Sequence, residues 1–173
     1  MRLFHVSEES SIGVFYPRLP LRKDLDPTIG LVWAITEECL PNFLTPRDCP
    51  RVTYHVWDAT TEGDRRRLFS SASALHCVAI EAGWLDRLRS TTLYLYEFDP
   101  AGFTLQDEAA GYYVATTPQT PVAVHRVDDL LDELVRRRVE VRIVDNLHDL
   151  ADEVRNSSMA FSLCRMRNAA PRT

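Results

Sequence analysis

Eight short runs of β-branched and aromatic residues constrain this chain more than any other feature. They lie at Arg2–Val6, Leu31–Ile35, Arg51–Trp57, Leu75–Glu81, Thr92–Phe98, Tyr112–Thr116, Val122–Val127 and Val139–Val144. Each is too short for a typical helix but suits a strand, and turn-forming residues separate them. The clearest change of period comes at Asp128–Arg138, where acids open the segment, three arginines close it, and Leu130, Leu131, Leu134 and Val135 form a stripe. That pattern predicts a helix whose end charges complement its dipole. Further helices are expected at Thr61–Phe69, Trp84–Arg89 and Leu147–Arg167, the last broken near Asn156, Ser157 and Ser158. Thr36, Glu37 and Glu38 read as a helix start that Pro41 keeps short or displaces. The expected fold is α+β: a single domain over residues 1–173, with a mixed or antiparallel sheet core in the first two thirds and packing helices toward the C-terminus.

Composition agrees with a folded domain. With 173 residues, 45% hydrophobic and 26% charged, the chain is expected to bury roughly 70% of the surface its unfolded form exposes. Met1 to Gly13 contains Glu8 and Glu9 and no apolar stretch of secretory type. Runs such as Leu31–Ile35 fall far short of the roughly 20 residues that cross a bilayer. The expected location is therefore the cytoplasm, with no membrane partner. Cys39, Cys49, Cys77 and Cys164 form no CxxC pair, so they read as thiols, and no metal site is assigned. The net charge of −5 disfavours nucleic acid as a partner. From Val154 onward, however, Arg155, Arg165, Arg167 and Arg172 occur without an acid.

No phosphate loop, dinucleotide glycine fingerprint or nucleophile elbow is present. The residues that carry chemistry cluster instead in the first third. Strand alternation puts His5 and Ser7 on one face of the first run, just before a proline-bearing excursion from Ser7 to Gly30 that contains Arg18. The stretch Phe43–Arg51 carries Arg47, Asp48, Cys49 and Arg51 between prolines. Arginine forks of this kind suit phosphate or carboxylate, although an internal ion pair would explain them equally well. Arg51, Thr53, His55 and Trp57 alternate onto one face of the third run. Cys49 beside two arginines would have a lowered thiol pKa, with His55 or His5 as its base. Glu108 precedes Gly111, Tyr112 and Tyr113, an acid followed by aromatics able to stack on a planar ligand.

Leu3-Phe4-His5-Val6-Ser7-Glu8, Leu31-Val32-Trp33-Ala34, Thr45-Pro46-Arg47-Asp48-Cys49-Pro50-Arg51 and Arg165-Met166-Arg167-Asn168-Ala169 together resemble a bacterial family known only as a domain of unknown function. The order of elements is also similar to the ADP-ribosyltransferase superfamily. That resemblance implies NAD as the cofactor, with His5 holding its ribose, Trp33 on the second strand where the family usually places Tyr or Ser, and Glu108 near the position of the catalytic glutamate. These matches depart from the family pattern at Trp33 and Glu108.

The reading that follows is a protein that binds an anionic small molecule, a nucleotide or NAD, through an Arg, His and aromatic pocket. Its residues would be Ser7, Arg18, Trp33, Arg47, Arg51, His55, Tyr112 and Tyr113, with Glu108 and His5 as the catalytic pair if the chain is an enzyme. The alternatives are an ADP-ribosyltransferase-like enzyme acting on NAD, and a protein or nucleic-acid interaction module. Oligomeric state is open.

Overall fold

All eight expected strands form, with ends within two residues of the sequence pattern. The computed structural model describes residues 1–20 and 24–172. It is α+β, with two sheets and four α-helices among the described residues. The chain falls into two compact units, each assembled from two segments: residues 1–40 with 93–127, and residues 41–92 with 128–173.

The first unit is an antiparallel sheet. Its strands are β1 (Leu3–Ser7), β2 (Val32–Thr36), β5 (Leu93–Phe98), β6 (Thr104–Asp107), β7 (Tyr112–Ala115) and β8 (Ala123–Val127), in the order β6-β7-β2-β1-β5-β8. One face buries Leu3, Val32, Ala34, Phe98 and Ala115, with Phe15, Phe103 and Tyr113 packed against them. β6 was not foreseen. Its burial is slight and Leu105 is half exposed, so it carries little of the apolar alternation that marks a half-buried strand.

The described part of the Ser7–Gly30 excursion is tied down by its backbone. Phe15 bridges Gln119 and Arg18 bridges Leu31, while the Tyr96 hydroxyl donates to Glu9 O at 2.7 Å and accepts from Ile12 N at 3.1 Å. Residues 21–23 of that excursion lie outside the described residues.

The second unit is built on a mixed sheet of β3 (Arg51–His55), β4 (His76–Glu81), β9 (Glu140–Val144) and β10 (Ala160–Cys164), ordered β10-β3-β4-β9. β4 and β9 are parallel and the other pairs antiparallel. The helices are α1 (Glu62–Leu68), α2 (Leu85–Ser90), α3 (Leu130–Arg136) and α4 (His148–Arg155). Thr61 caps α1 by accepting from Asp64 N, and Asp129 caps α3 by accepting from Asp132 N; each such cap is worth about 1 kcal/mol. One buried cluster joins Val52, Tyr54, Cys77 and Ala79 of the sheet to Leu68 and Phe69 at the end of α1 and to Leu147, Ala151 and Val154 at and within α4.

Two expected helices are corrected. The segment Leu147–Arg167 is helical only to Arg155; the chain then turns and enters the sheet as β10 beside β3. Asn156 N bonds to Asp152 O and the Ser157 hydroxyl to Val154 O, closing the helix end where the Asn-Ser-Ser break was read. After Thr36, the anticipated helix is replaced by turns and a short 3-10 segment, Leu40–Phe43. Pro41 cannot donate its nitrogen to a longer helix.

Candidate functional site

Within the first unit, strand register decides which expected site residues meet. His5 lies on the face that Phe15 covers, with ring centroids 4.8 Å apart, and its Nδ1–H donates to the backbone carbonyl of Trp33 at 2.9 Å. Because a carbonyl only accepts, that bond places a proton on Nδ1. The Trp33 side chain is on the opposite face, edge-on to Tyr112 at 5.5 Å, because Trp33 and Tyr112 both alternate with Ala34 and Tyr113. Tyr113 shares the face of His5 and packs into the apolar cluster.

Ser7 accepts from Glu9 N, and Arg18 is exposed. Glu108 is exposed too, in the turn before Tyr112. Because Leu3 pairs with Thr36 and Thr36 N bonds to Gly111 O, Glu108 belongs to the Leu3 end of the sheet, whereas Ser7 is four residues along β1, about 13 Å away at strand spacing. The sheet therefore does not bring Glu108 to Ser7.

In the second unit the arginine loop is chiefly internal structure. Arg51 is buried; its Nε donates to Asn42 O at 2.7 Å, one terminal nitrogen donates to Cys49 O at 3.1 Å, and the guanidinium lies over the Phe43 ring. A fork with these donors committed to carbonyls is not presented to a ligand. Arg47 is exposed, and its carbonyl accepts from Arg165 Nε, while Asp48 O accepts from Asn168 Nδ2. The two motifs at Thr45–Arg51 and Arg165–Ala169 thus bind each other.

Burial pushes the Cys49 thiol up to about 12, and the nearby Arg51 and Arg87 offset this only in part. The lowered pKa expected for a nucleophile is corrected accordingly, since desolvation penalises the thiolate. His55 stacks on His76 across the β3/β4 pair, centroids 5.1 Å apart. His76 donates from Nε2 to Asn42 Oδ1 at 2.8 Å, and burial, helped by the neighbouring His55, depresses its pKa to about 3.

A cavity of about 290 Å³ opens elsewhere in this unit, along α1. Glu62, Arg65, Arg66 and Phe69 line it, together with Ser70, Ser71 and Ala72. Glu62, Arg65 and Arg66 recur at i, i+3 and i+4, the spacing of one helix face, and Phe69 follows at the cap. Arg65 is anchored by a bond to Ala72 O, and its Nε–H has no hydrogen-bond partner among the described residues. Ser70 is held through its backbone N–H and hydroxyl on Glu140, at 3.0 and 2.7 Å. Hydrogen bonds from Ser70 and Arg142 keep Glu140 below the ordinary carboxylate range against the opposing effect of burial. Behind the helix end, Leu68 O accepts from both the Tyr54 hydroxyl and Arg142.

The cavity is thus walled by two guanidinium groups, the Glu62 carboxylate, two serines and one apolar ring on a braced frame. None of its residues was among the sequence candidates. The signal available was Arg65-Arg66 on the predicted helix followed by Ser70-Ser71, read for helical facing rather than for its ends. No group of three or more metal-ligating side chains occurs among the described residues. No described helix is long and apolar enough to cross a membrane.

A family model covers residues 4–169. The chain belongs to the family of unknown function DUF6886. No curated protein and no solved structure matches it.

Proposed function

We propose that this member of the family binds a small anionic ligand, a phosphate monoester or carboxylate, in the cavity beside α1. The observation that carries the reading is the pairing of Arg65 and Arg66 on the cavity wall with Ser70 and Ser71 opposite them in sequence across Phe69. Guanidinium groups offer several donors in a fixed plane and hold anions more strongly than neutral donors do. Phe69 and Ala72 supply apolar contact for the body of such a ligand. At about 290 Å³ the space lies at the small end of ligand pockets, roughly 300 to 1,000 Å³. It suits one phosphorylated or carboxylated molecule better than a whole dinucleotide such as NAD.

The test is a thermal-shift and calorimetry panel of inorganic phosphate, sugar phosphates, nucleoside monophosphates, dicarboxylates and NAD, with Arg66→Gln alongside the natural chain. At about 100 times Kd a ligand stabilises by about 2.7 kcal/mol, a shift of about 5 to 10 °C for a chain of this size. A shift that Arg66→Gln abolishes supports the reading. No response from any anion in the panel removes it.

A further inference from the structure

If the cavity takes an anion as proposed above, one of its own side chains competes with that anion. The three consecutive arginines of α1 are held differently. Arg65 is anchored on the carbonyl of Ala72, and Arg67, which is not among the lining residues, is held by Asp64 and Glu153. Arg66 is paired instead with Glu62, itself a lining residue, through Nε and Oε1 at 2.8 Å. The two side chains are 79% and 62% exposed, so either is free to swing at little cost.

We infer that Glu62 is a built-in competitor of the ligand: its carboxylate occupies Arg66 in the empty cavity and must yield that guanidinium to an entering anion. Two physical consequences follow. The pair four residues apart on the helix is broken or weakened on binding, and the displaced carboxylate remains near the incoming negative charge. A weak exposed pair and a solvent-screened repulsion at a few ångströms together amount to an affinity loss of about threefold to tenfold. Both effects shrink as salt screens the charges, so the guard works best at low ionic strength. It also acts more strongly on a dianion than on a monoanion.

The test is calorimetric titration of inorganic phosphate into the full chain, at about 50 and about 300 mM salt, where screening differs strongly. Glu62→Gln keeps the shape of the side chain and removes its charge. Glu153→Gln removes an equal charge from the partner of Arg67, outside the lining residues. Glu62→Gln is expected to bind phosphate about threefold to tenfold more tightly at low salt, with a smaller gain at high salt, while Glu153→Gln stays close to the natural chain. Equal or weaker binding by Glu62→Gln, or the same gain in both variants, overturns the inference. If the natural chain binds phosphate and Arg66→Gln loses it while Glu62→Gln changes nothing, the ligand reading stands and the guard alone falls. If neither the natural chain nor Glu62→Gln binds phosphate, the guard falls, and the ligand reading is decided by the other anions of the panel.

Discussion

His76 offers a quantitative test of how the second unit is held together. Its ring is 8% exposed, donates to Asn42 and stacks on His55, and its pKa is depressed from the ordinary 6.5 to about 3. The folded chain therefore keeps His76 neutral at pH 5, whereas the unfolded chain protonates it. Stability from this residue is complete above 6.5 and is lost progressively as pH falls toward 3. Integrating between these two values gives a loss of about 2 kcal/mol by pH 5.

The measurement is urea unfolding at pH 7.5 and 5.0 for the natural chain and for His76→Gln, which retains a donor for Asn42 but cannot ionise. The natural chain is expected to lose about 2 kcal/mol more across this interval than the variant does. The window ends above the range in which Glu97 matters most: hydrogen bonds from Arg2 and His125 hold that carboxylate at about 2, so its contribution fades as pH falls below its ordinary 4.5. Equal losses for the natural chain and the variant would refute the assignment of His76 as a buried neutral base.

Other consequences are equally direct. Gly111 has φ of 66°, and an added Cβ would come within 2.6 Å of Thr36 Oγ1 and 2.7 Å of Cys39 Sγ, so Gly111→Ala should cost about 2 to 4 kcal/mol, read as a fall in Tm of about 5 to 15 °C. Arg51→Met would strip donors from the carbonyls of Asn42 and Cys49 and should cost about 2 to 5 kcal/mol in denaturant unfolding; a loss under about 0.5 kcal/mol would mean that the loop does not depend on them. Cys49, with its thiol held near 12 and its side chain buried, should resist iodoacetamide in the native chain at pH 8 and react once the chain is unfolded. Rapid native labelling of Cys49, located by peptide mapping, would contradict its burial.

Much of the secondary structure was legible because it depends on near neighbours. β-rich runs bounded by turns marked eight strands, and Thr61 and the acids around Asp129 marked where α1 and α3 begin. The Asn156-Ser157-Ser158 break was legible too, but not what followed it. Ala160–Cys164 becomes a strand because β3 offers an edge to pair with, and that edge belongs to residues more than a hundred positions earlier.

The candidate site was less legible, for a related reason. Arginines, histidines and a thiol close together in sequence suggested a binding loop, yet the fold spends Arg51 on carbonyls, seals Cys49 from water, and sets Trp33 and His5 on opposite faces of one sheet. Meanwhile Arg65 and Arg66, on a helix that suggested no site, line a cavity. Local periodicity and capping by themselves determined most of the elements of this protein, though not β6 or β10. Which polar groups face solvent, a neighbour or an open space was decided only when distant segments packed, because burial and hydrogen-bond partners are properties of the assembled surface and not of the residue that carries them.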